Sequence, residues 1–265
     1  MTKKSDGRRR RDSRSFPKRE DVAAVNIDRE NNRVFFVKKN MLENQLYRDG
    51  PRIARSFDAL ARSHIKEVSA IFAVTQSMAL NHLPKIEDNG FKATASRLLA
   101  SAANSFIASI EVARHGYKRQ FGMIGRSFVE THATVVVLKI RNNAVTEFHE
   151  GRLPSTKCVG WAKDAFPPIG KYHGLLNEFV HIGREHSVVE LPSLYKQDDA
   201  ALPYILSAIK SNIWIMLVLT ELTFHDDIAD CKFWKTLGAD SLAYDPDEAT
   251  LAWSNAFLEP IERLV

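Results

Sequence analysis

Tyr117 to Arg141 reads YKRQFGMIGRSFVETHATVVVLKIR, and wound as a helix it is apolar on nearly every side. That pattern predicts a helix buried in the middle of a fold rather than one laid on its surface. Phe121, Ile124, Phe128, Val135 and Leu138 recur at three- and four-residue spacing on one side, and Met123, Ala133, Val137 and Ile140 form a second stripe. Arg126 and Glu130 fall within the second stripe, four residues apart, so their side chains are neighbours on one face. A charge among apolar neighbours needs a partner, and the two are expected to pair.

Working outward, the flanking segments also read as helices. Towards the N-terminus, Phe91–Arg114 repeats Leu98, Leu99, Ala102, Phe106 and Ile110 at helical spacing, and His115-Gly116 ends it. So short a connection makes that helix the antiparallel neighbour of the central one. Before it, Arg52–His82 carries Ile53, Phe57, Leu60, Val68, Ile71 and Phe72 on one face and mixed charges on the other, after a break at Asp49-Gly50-Pro51. On the C-terminal side, Asn142–Lys171 is punctuated by Gly151, Pro154, Pro167, Pro168 and Gly170, which predicts a long surface excursion with a short helix capped by Ser155. Helices follow over Tyr172–Ile182 and Ala200–His225, and Asp245-Pro246 is expected to cap a closing helix to Phe257. Within the penultimate helix IWIMLVL (213–219) is bracketed by Lys210 and Glu221, well short of the ~20 apolar residues a membrane span needs, so no stable membrane insertion is expected.

Only VAAVNI (22–27) and RVFFVKK (33–39) have strand composition, and they flank a polar turn. The expected class is therefore all-α: a bundle of about five to seven helices over 51–265, a small β-hairpin and linker over 21–50, and a disordered basic tail over 1–20. Of 265 residues 45% are hydrophobic, enough for a sizeable core.

The net charge of +5 is concentrated at the front. Residues 1–20 hold nine Lys or Arg against three acids, a net +6 that leaves −1 for the other 245 residues. A solvated run of this kind holds phosphates by charge alone, so Arg8, Arg9, Arg10, Arg11 and Arg14 are candidate contacts for RNA or another polyanion; the alternative is a solubilising leader. Cys158 and Cys231 have neither CxxC nor zinc-ligand spacing, so neither a disulfide framework nor a cysteine-based metal site is indicated, which fits a reducing cytoplasm. No secretory signal core follows the basic run. Glu178-x-x-His181 has the helical spacing of di-iron bundles, but the second copy these need is replaced by Glu221-x-x-x-His225, so neither a metal nor another cofactor is expected.

Arg126-x5-His132 resembles the Arg-x4-6-His motif of HEPN domains, helical bundles that include toxin and defence ribonucleases, where it supplies the catalytic pair. Ser127 stands where active members tend to carry Asn or another polar residue, and six helical residues set His132 about 120° from Arg126. A homodimer can assemble such residues across two chains. RSFVETH (126–132) and NEFVHIGREHS (177–187) also resemble uncharacterised bacterial helical proteins near the HEPN-like group, with an Arg-Ser-x-x-Glu helix followed by a Glu-Phe-x-His helix end. That resemblance runs from Phe57 to His225 and implies a helical bundle in a prophage or defence setting. Arg126, Glu130, His132 and His181 are the residues expected at any active site. The expectations are an RNA-associated or interaction module, a metal-independent ribonuclease, or a structural bundle without activity.

Overall fold

Residues 18–82, 90–180, 191–238 and 241–260 are described by the computed structural model, 177–180 as backbone only. The basic run Arg8–Arg14 and the stretch with His181, Gly183 and His186 lie outside the described residues. The chain is mainly α and divides into two compact units, Met1–Gly50 and Pro51–Val265.

In the first unit β1 (Val22–Asp28) pairs antiparallel with β2 (Arg33–Lys38), in the register Val25↔Phe36 and Ile27↔Val34. The Asp28 carboxylate accepts from the Asn31 backbone and side-chain amides, closing the turn, and Asn32 takes the left-handed conformation that Asn tolerates. A single helical turn, α1 (Met41–Asn44), follows the hairpin, and a wider π turn, Gln45–Asp49, follows α1.

The second unit is organised around α4 (Lys118–Ile140). α2 (Gly50–His82) buries Ile53, Phe57, Ala61, Val68 and Thr75, a stripe at helical spacing, and exposes its charges. α3 (Phe91–Arg114) is tied to α2 by the Arg114 guanidinium, which donates to both Asp58 oxygens at 2.7 and 2.8 Å and holds that carboxyl below its usual range. Its C-terminus forms a Schellman turn: Gly116 at φ 82° donates to Ala113 O and Tyr117 N to Val112 O. This reverses the chain into α4, and among the described residues α3 and α4 make the most extensive helix contact, with Phe106 against Phe128.

α4 is not buried on every side. Of its second stripe Ala133 and Val137 are fully buried, but Met123 and Ile140 are exposed, and so is Ser127 between them.

The 142–171 stretch is no surface loop either. It forms α5 (Ala144–His149), α6 (Ser155–Ala165) and the start of α7 (Pro167–Val180), and buries Cys158, Ala162, Phe166 and Ile169 in the core. The prolines here open helices: Pro154 precedes α6 and Pro167 begins α7, where a missing N–H costs nothing. Ser155 is the first residue of α6 and makes no capping bond. Arg141 lies over the Trp161 ring at 4.1 Å, joining the end of α4 to α6.

α8 (Ala201–Thr223) crosses the core beside α4, with Lys118–Asp199 (3.2 Å) and Lys139–Asp226 (3.5 Å) near the two ends of α4. As a whole helix α8 is long and apolar enough to cross a membrane, and its most apolar window is 78% buried within the fold. A second hairpin, β3 (Trp234–Gly238) and β4 (Ser241–Tyr244), was not foreseen; its Trp234 and Tyr244 join Phe166 and Trp214 in an aromatic cluster. The closing helix α9 (Glu248–Leu258) is capped by Asp247, which accepts from Thr250 N at 2.7 Å. Asp245, expected in that role, pairs with Lys235 instead.

Candidate functional site

α4 and α7 approach closely where α4 has glycine: a Cβ on Gly125 would sit 3.4 Å from the Leu176 methyls, so the small residue sets how near α7 can come. The next residue, Arg126, donates from Nε to Glu130 Oε1 at 3.0 Å. The pair forms as its spacing requires, but with side chains 25% and 20% exposed it lies at the edge of the core rather than inside it. Solvent therefore reaches both charges.

The third member is His173 of α7, three residues before Leu176 and half-buried. Burial, and then the positive charge of Arg126, hold its imidazole below the ordinary range, while Glu130 acts in the opposite direction. It is thus mostly neutral near pH 7, with both charges of the pair in electrostatic reach. A guanidinium, a carboxylate and a neutral imidazole at one partly wet seam form a set able to hold an anion and exchange a proton. The sequence reading missed His173, although a signal was present: His173, Asn177 and His181 recur every four residues, which is one face of a helix.

His132 does not join this group. It is wholly buried, its ring 4.0 Å from that of Phe128, and its Nδ1 donates to Phe128 O at 2.8 Å. A carbonyl can only accept, so Nδ1 carries the proton and Nε2 is a bare lone pair; it is buried and has no partner. Protonating it would place an unpaired cation in the core, and burial accordingly lowers its pKa to about 4. The 120° between the two positions is thus realised: the helix turns His132 into the core, while the Arg126 side chain stays partly exposed beside Glu130. His181 lies outside the described residues, as do Arg8, Arg9, Arg10, Arg11 and Arg14.

Glu221, considered above for metal binding, has a structural task. Its carboxylate is buried and accepts from the backbone N–H groups of Lys232 (2.9 Å), Phe233 (2.7 Å) and Trp234 (3.1 Å), fixing the chain as it enters β3. His225, four residues on, approaches Asp226 Oδ1 at 3.4 Å. Among the described residues no group of three or more His, Cys, Asp or Glu is placed to hold a metal ion. Comparison with family models, with curated proteins and with solved structures finds no match for this chain.

Proposed function

We propose that the protein is an RNA-associated helical module, HEPN-like in character and suited to a bacterial prophage or defence setting, whose affinity for nucleic acid resides in its basic leader. The observation that carries this reading is the partition of charge: +6 in residues 1–20 and −1 in everything that follows. Such a leader binds phosphates by charge, without reading sequence. Replacing Arg8, Arg9, Arg10, Arg11 and Arg14 together by Ser is expected to weaken binding of a labelled single-stranded RNA by about tenfold or more at moderate salt, measured by fluorescence anisotropy. Unchanged affinity would remove the leader from the interface.

A second reading is favoured by the grouping of Arg126, Glu130 and His173. In a metal-independent ribonuclease a neutral His173 would take the proton of the 2′-hydroxyl as its oxygen bonds to phosphorus, and the P–O5′ bond would break with the departing O5′ taking a proton from solvent water. Arg126, oriented by Glu130, would stabilise the charge on the phosphorane. Incubation with RNA in EDTA tests it: cleavage should occur and disappear in Arg126→Met and His173→Ala, yet survive in His132→Leu. No cleavage by the wild-type chain would leave the binding module alone.

A further inference from the structure

No side chain is buried anywhere in residues 18–49. On one face of the hairpin Val25, Ile27 and Val34 are 53, 60 and 52% exposed, and Phe35 and Val37 are exposed on the other. The large apolar residues of α1 and of the turn after it are exposed as well. Among the described residues the sheet has two strands, so each keeps an outer edge of backbone N–H and C=O groups. A lone two-stranded hairpin is marginal in water, and three or more strands with a covered apolar face are needed for stability. This first unit is therefore built to be completed from outside.

We propose that what completes it is a second copy of the chain, joined through β1. Two β1 strands paired antiparallel about Val25 give a four-stranded sheet in the order β2–β1–β1–β2, whose joined face carries Val25, Ile27 and Val34 of both copies. Charge selects the edge. β1 reads VAAVNID, whose single charge, Asp28, falls opposite Val22 of the copy. β2 reads RVFFVK, and pairing it with itself about its middle sets Arg33 against Lys38 of the copy, so that edge is guarded against strand addition. Area selects the kind of partner. The exposed apolar surface of the hairpin, α1 and the following turn, both faces counted, is on the order of 1,000 Å² per chain, the scale of the ~800 Å² per partner that a stable interface buries.

Light scattering on the full chain is expected to give twice the mass of one chain at micromolar concentrations. Val25→Pro should give the mass of one chain with an unchanged helical circular dichroism signal. Val25→Cys in a Cys231→Ser background should cross-link under mild oxidation, since residue 25 meets its own copy within disulfide reach. Val34→Cys should not, because its strand lies one further spacing out on each side. A monomeric wild type, a Val25→Pro variant that stays dimeric, or cross-linking at position 34 as fast as at 25 would each overturn the proposal; if Val25→Pro disturbs the helices, the two cysteine variants decide.

Discussion

At His132 burial decides the chemistry, against the opposing pull of the Phe128 hydrogen bond. With Nδ1–H committed to Phe128 O and Nε2 unpartnered, the folded protein keeps the imidazole neutral down to about pH 4, whereas the unfolded chain protonates it near 6.5. Between those values the unfolded state binds more protons, so stability is full above about pH 6.5 and falls by roughly 1.4 kcal/mol per pH unit towards pH 4, about 3 kcal/mol in all. Urea unfolding at several pH values should show this slope in the wild type and a shallower one in His132→Leu; equal slopes would place His132 in water. Arg126 and Glu130 call for a different magnitude. Deep burial would make each single truncation cost about 3–5 kcal/mol, but the observed quarter exposure lets water screen both charges. A double-mutant cycle with Arg126→Met and Glu130→Leu should give a coupling of about 0.5–1 kcal/mol. Glu221 is the costly carboxylate: Glu221→Ala strands two buried N–H groups and a part-buried third, and should lose about 3–5 kcal/mol on denaturation. The Arg126–Glu130 contact was legible in the sequence because i,i+4 spacing on a helix is local geometry. His173 and the inward turn of His132 depend on where α7 crosses α4, which the Gly125–Leu176 approach sets and no local pattern records.

Among the elements, the α3–α4 turn fixes the central pair of helices. Gly116 needs φ 82°, and a Cβ there would lie 3.2 Å from Ile53 Cγ2 and from Pro192 Cα and Cβ. Gly151 has a similar φ of 70° but open space around it. Gly116→Ala should therefore lower the melting temperature clearly more than Gly151→Ala, the first adding a clash to the backbone strain of about 1 kcal/mol that both share. Equal shifts in a thermal melt would mean that the 192 segment is not packed against the turn. The long helices were legible because their apolar residues keep the 3.6-residue period over many turns. In the 142–171 region the prolines read as breaks and hide the helices, although Cys158, Val159 and Ala162, then Ile169, Tyr172 and Leu176, carry the helical period after Pro154 and Pro167. The second hairpin had too few residues for a pattern: β3 and β4 are held by the aromatic cluster and the Glu221 clamp, contacts distant in sequence.

On the scale of the whole molecule, charge and apolar surface are distributed unevenly along the chain. The positive charge stands at the front, a coreless apolar hairpin follows it, and a bundle of near-zero net charge makes up the rest. That charge partition was plain from the sequence, since counting charges needs no structure; which apolar residues remain exposed was not, since strand composition alone reads the same for a covered and an uncovered hairpin. The central claim is that RNA affinity belongs to the leader, and the salt dependence of binding tests it most directly. Plotting log Kobs against log salt concentration for a single-stranded RNA, the full chain should give a slope of about −4, as expected when some six phosphates displace their counterions. The chain lacking residues 1–20 should keep its melting temperature within a few degrees and show no measurable affinity. A truncated chain that binds as tightly, with the same slope, would contradict the account and place the nucleic-acid surface on the bundle.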